Sequence, residues 1–151
     1  MNRRIYFFLL AIFMLFSASF LTGCKKYEDG PVFAFSSREA RVANDWKAEL
    51  ISKNDIDIES DFEYIHMTFR DNGVFEWVYK MTGDPTERKF EGENPTWELA
   101  TLDEEIKIEY FDSSAGDTRL LYFDILRLTE DELWFNYIDQ GDRIGIRLSP
   151  R

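Results

Sequence analysis

Cys24 and His66 are the only residues of their kinds in the chain. A thiol beside an imidazole could make a nucleophile and its base, but Cys24 follows the only long apolar run. A lone histidine cannot build a multi-histidine metal site, and strand parity groups His66 with Tyr64 and Thr68, as a surface or rim residue. Asp55, Asp57, Glu59 and Asp61 alternate with Ile56 and Ile58, which predicts four carboxylates on one strand face. Alternating acids can ligate calcium, yet the EF-hand loop needs Gly at its sixth position and Glu at its twelfth, where Ser60 and His66 stand. A solvated acidic stretch is the expectation. The pairs Glu104–Glu105 and Asp131–Glu132 fall in expected turns. No Gly-rich phosphate loop, Gly-X-Ser-X-Gly elbow or metalloprotease motif occurs. The expectation is a protein that is not an enzyme, with no metal ligand and no cofactor.

The surroundings of Cys24 suggest another use for its sulfur. Arg3 and Arg4 precede an apolar run from Ile5 to Phe20, the order of an export signal. A spanning helix from Ile5 to Leu21 is the physical alternative, although about 20 apolar residues are needed to span. Leu21-Thr22-Gly23-Cys24 resembles the lipobox of bacterial lipoproteins, and the resemblance implies cleavage before a lipidated Cys24. Residues 1–23 are then a signal peptide and 24–35 a lipidated tether. Two or more acyl chains, at about 0.8 kcal/mol per buried CH₂, anchor firmly where one does not. With no second cysteine, an exported domain must rely on its core.

Without Arg3 and Arg4, 16 basic residues face 29 acidic ones, a balance of −13. So acidic a chain is a poor match for nucleic acid, whose phosphates require Lys and Arg. Lys25 and Lys26, next to the anchor, are placed to favour anionic headgroups. Lys25-Lys26-Tyr27-Glu28-Asp29 also resembles the signal that sends lipoproteins of the Bacteroidota to the cell surface. An outer-membrane location follows as the expectation, on the periplasmic face or at the surface.

Residues 36–151 must supply the domain. Ser36 or Ser37 can cap a short helical turn through Ala43, with Glu39 completing a capping box if Ser36 is the cap. Period-two runs follow at 46–51, 62–70, 74–81, 96–100, 106–111, 119–128, 132–138 and 143–148, with a short extra strand near 88–90. Asp71-Asn72-Gly73 and Gln140-Gly141-Asp142 suit tight hairpins, and Gly92-Glu93-Asn94-Pro95 suits a longer loop. Along most runs one face is apolar: Ile65, Met67 and Phe69; Phe75, Trp77 and Tyr79; Trp97 and Leu99; Leu133, Phe135 and Tyr137. The other carries charge. Such hairpins predict an all-β, antiparallel up-and-down barrel, with a two-sheet sandwich as rival.

The segments "FRDNGVFEW" (69–77), "PTWELATLDEEIKI" (95–108) and "ILRLTEDELWFNY" (125–137), with Trp46 in "ANDWKAELI", resemble the lipocalin-like domain lipoproteins of the Bacteroidota, within the calycin group. The resemblance implies an eight-stranded barrel preceded by a short N-terminal helix. Met67, Phe69, Phe75, Trp77, Tyr79, Trp97 and Tyr110 would face its interior as candidate ligand-binding residues. An eight-stranded barrel is filled by side chains or holds one small ligand. Seven bulky side chains at native packing density favour a filled core. The functional expectation is a membrane-anchored, non-enzymatic lipoprotein binding a small apolar ligand or a protein partner. The alternative is an interaction lipoprotein with a filled barrel and no ligand. Trp134, Phe111 and Phe123 fall outside by parity and favour the protein partner.

Overall fold

The computed structural model describes residues 36–151. The signal, Cys24 and the tether through Phe35 lie outside the described residues. Helix α1 (Arg38–Val42) starts at Ser37, whose hydroxyl accepts from the Ala40 amide at 3.1 Å. Ser37 rather than Ser36 is thus the cap, and Glu39 stands one position too early for a capping box.

Strands β1 (Asp45–Lys53), β2 (Ile56–Asp57), β3 (Phe62–Phe69), β4 (Phe75–Met81) and β5 (Glu87–Lys89) are followed by β6 (Glu93–Ala100), β7 (Glu105–Asp112), β8 (Asp117–Leu128), β9 (Leu133–Asp139) and β10 (Asp142–Pro150). They form one antiparallel sheet ordered β5-β4-β3-β1-β10-β9-β8-β7-β6, with β2 paired to β1 alone. The sheet curls into a half-barrel. Ten strands stand where eight are expected, and β2 and β5 are only two and three residues long. Among the described residues no helix is long and apolar enough to cross a membrane.

The seam of the sheet lies between β5 and β6, its two edges. At one end β6 is fastened across the seam. Trp97 donates its amide to the Gly73 carbonyl and its indole N–H to the Arg70 carbonyl, both at 2.8 Å. A bridge between Val74 and Thr96 lies alongside. Gly73, at φ +83°, allows the β3–β4 turn to present that carbonyl. Trp46, Met67, Phe69, Phe75, Leu128, Leu133 and Phe135 fill this closed end, each at most 1% exposed. Helix α1 is tied to it, with the Trp46 indole donating to the Val42 carbonyl and Arg41 to that of Leu128.

Three sequence expectations need correction. Parity puts Phe123 outside, but it is fully buried, stacked on Phe135 with centroids 4.4 Å apart. A bulge between Ile125 and Arg127 shifts the alternation, so Phe123 and Leu128 both point inward. Residues 93–95 belong to β6 rather than a loop. Pro95 is tolerated because β6 is an edge strand, irregular between Glu93 and Thr96. Finally, the four acids do not share a strand face. Asn54 and Asp55 have positive φ, Asp57 lies in β2, and Glu59–Asp61 is a single 3-10 turn.

Replacing Trp97 by Phe removes the indole bond to Arg70 while keeping most of the ring. A loss of about 1–2 kcal/mol in urea unfolding is expected, against about 3–5 kcal/mol for Trp97→Ala. A Trp97→Phe variant as stable as the wild type would show that the clasp bond contributes nothing beyond ring packing.

Candidate functional site

At the other end the seam is not hydrogen-bonded across, and the sheet encloses a half-open cavity of about 570 Å³. That volume lies within the roughly 300–1,000 Å³ typical of small-molecule sites. Buried Ile51, Ile65 and Ile146 and half-buried Leu121 supply its aliphatic lining. Phe62, Trp77, Tyr79, Phe90, Tyr110 and Tyr137 supply an aromatic wall. Lys53, Lys89, Glu91, Asp112, Ser114 and Asp139 contribute polar groups nearer solvent.

The wall owes its shape to the strap that joins the two edges, Phe90–Gly92. The Phe90 amide donates to the Trp77 carbonyl at 2.9 Å, and its ring lies parallel to the Trp77 indole, centroids 6.0 Å apart. Tyr110 meets Phe90 edge-on at 4.8 Å. Gly92 is needed here by proximity: a Cβ would sit 2.6 Å from Tyr110 Cγ and 2.7 Å from Phe90 Cε1. Tyr137 closes the group, perpendicular to Trp77 at 5.9 Å.

The seven candidate interior residues divide by depth. Trp77, Tyr79 and Tyr110 line the cavity. Met67, Phe69, Phe75 and Trp97 are buried in the closed end, where they pack on one another, as in the Phe69–Trp97 contact at 5.6 Å. The barrel is thus filled at one end and hollow at the other. Phe62, Phe90 and Tyr137 complete the wall without belonging to the candidate set. For Tyr137 the signal was present, since it shares parity with Leu133 and Phe135. Phe90 lies in a three-residue strand's continuation, where periodicity has nothing to work on.

The Tyr137 hydroxyl makes no hydrogen bond among the described residues. Burial first, then the Asp139 and Tyr79 side chains, raise its pKa well above the ordinary phenol range. It therefore stays a neutral donor and acceptor at the cavity. The buried Trp77 indole N–H also has no partner among the described residues. Tyr79 stands opposite Arg88 in the β4–β5 ladder, and Arg88 is paired with Asp84 at 2.8 Å. His66 lies on the outer wall, stacked on Tyr64 at 4.7 Å. Burial first, and then the Arg151 charge, lower its pKa. Among the described residues no three His, Cys, Asp or Glu side chains converge as metal ligands would. The arrangement is suited to enclosing an apolar body and offering it a hydroxyl.

No family model, curated protein or solved structure matches the chain.

Gly92→Ala is expected to displace Tyr110 and Phe90. The overpacking should cost about 1–3 kcal/mol and alter the near-UV dichroism of the aromatic wall. An unchanged spectrum and stability would mean that the strap yields without strain.

Proposed function

We propose that the protein is a membrane-anchored, lipocalin-like lipoprotein that receives a small apolar molecule in its half-open cup and does not transform it. The half-open aromatic cavity carries this reading. The Leu21–Cys24 quartet and the apolar run before it support the anchor, and the basic start supports export. Kinship with the lipocalin-like lipoproteins rests on the hairpin segments quoted above and on the antiparallel half-barrel. On this reading the tether enters the domain at its closed end. Ser36 bonds Glu130 in the β8–β9 turn at the closed end, and a tether of residues 24–35 reaches roughly 40 Å at most.

A second reading, docking of a protein partner, has its own observation. Phe111, Leu120, Tyr122 and Ile138, each 42–62% exposed, sit on the outer wall of β7, β8 and β9. Apolar surface grouped in this way is a feature of interaction sites.

Two measurements test the proposal. Native mass spectrometry of protein extracted gently from its own membrane fraction should show a stoichiometric small-molecule adduct that is lost on denaturation. A clean mass that stays clean after incubation with lipids and flat aromatic compounds would sink the carrier reading in favour of the outer wall. Independently, labelled palmitate should be incorporated by the wild-type chain and not by Cys24→Ala. Equal labelling of both would remove the anchor.

A further inference from the structure

The charges around the cavity do not cancel. Lys53 is held by Asp142 at 2.6 Å, Arg119 by Asp112 at 3.0 Å, and Arg88 by Asp84 at 2.8 Å. Each of these cations is committed to a carboxylate of the protein. Lys89, the other cation of the cavity lining, stands opposite Val78 in the β4–β5 ladder, so the lining carries Lys53 and Lys89 against Glu91, Asp112 and Asp139, an excess of one negative charge. Two carboxylates of the cavity lining, Glu91 and Asp139, have no cation within ion-pair distance among the described residues. Asp139 follows Tyr137 on the inward parity of β9, and its charge is felt by the Tyr137 phenol. Glu91 is the centre of the strap, between Phe90 and Gly92.

We infer that the cup selects an organic cation, a molecule with an apolar body that fits the aromatic wall and a positive group that rests at the rim carrying Glu91 and Asp139. The inference rests on the small-molecule reading above and names the class of its ligand. Three features act together. Trp77, Tyr110 and Tyr137 line the cavity, and the faces of such rings attract ammonium and guanidinium groups. The leftover rim charge is negative, so a carboxylate or phosphate ligand would meet repulsion where a cation is attracted. The chain's net charge of −11 adds a long-range field of the same sign.

The test uses the full chain in phosphatidylcholine nanodiscs, with empty discs as the blank. Calorimetric titration compares probes that share one naphthyl body: naphthylmethyl-trimethylammonium, naphthylmethanol and naphthylacetate. The ammonium probe is expected to bind about tenfold more tightly than the alcohol, and the acetate more weakly than either. In E91Q/D139N the ammonium preference should collapse while the alcohol binds as before, which also shows that the variant is folded. Equal or tighter binding of the alcohol or acetate by the wild-type chain would overturn charge selection and leave the cup standing as a binding site. Retention of the preference in the variant would overturn the role of these carboxylates. Failure of all three probes to bind would overturn both the inference and the small-molecule reading beneath it.

Discussion

The two bonds from Trp97 to the β3–β4 turn decide what kind of sheet this is. Without them β6 would be a free edge, and a nine-strand path would end in an open, twisted sheet. With them, one end of the seam is held while the other end diverges. The ring of Trp97 then packs edge-on against Phe69, so the clasp is also part of the core. Bonds to backbone carbonyls inside an apolar cluster are costly to leave unmade, which gives the closure a strength beyond its number of contacts. The hollow at the opposite end is the geometric counterpart of this fastening.

That division also explains how one aromatic inventory serves two purposes. At the closed end, Phe69, Phe75, Phe123 and Phe135 are buried to at most 1% exposure and meet each other directly. At the open end, Trp77 stacks on Phe90, and Tyr110 and Tyr137 meet them edge-on around a space. The hydroxyls of the second group keep it compatible with water. Phe90 links the two behaviours, because it reaches Phe75 on the closed side and Trp77 on the open side, with centroids 5.9 and 6.0 Å away.

Much of this architecture was legible in the chain. Alternation along β3, β4, β7, β9 and β10 identifies their inner faces, and Gln140-Gly141 marks a hairpin whose residues take φ of 50° and 93°. The candidate site was legible only in part. Trp97 and Trp77 share inward parity, yet one closes the sheet and the other lines the cavity, since their height along the barrel depends on register between strands distant in sequence. Phe123 was hidden by a bulge, which reverses alternation without a distinctive residue to announce it. Ring volumes set against the domain's size favour a filled interior, but volume alone does not say that the rings gather at one end.

The pairing of β1 with β10 has a consequence for how the domain assembles. The sheet's middle is made by the first and last described strands, with partners running from Trp46↔Pro150 to Lys53↔Ile144. Strands β2 to β5 are attached through β1, and β6 to β9 through β10. Until β10 is in place, the two halves are joined only at the β5–β6 side, by the strap, the Trp97 clasp and its neighbouring bridge, and through side-chain contacts such as Phe75–Phe123 and Arg41–Leu128. Contacts between residues about a hundred positions apart are slow to form, because a long loop must close before they contribute. The chain therefore has to be nearly whole before it can be a barrel at all.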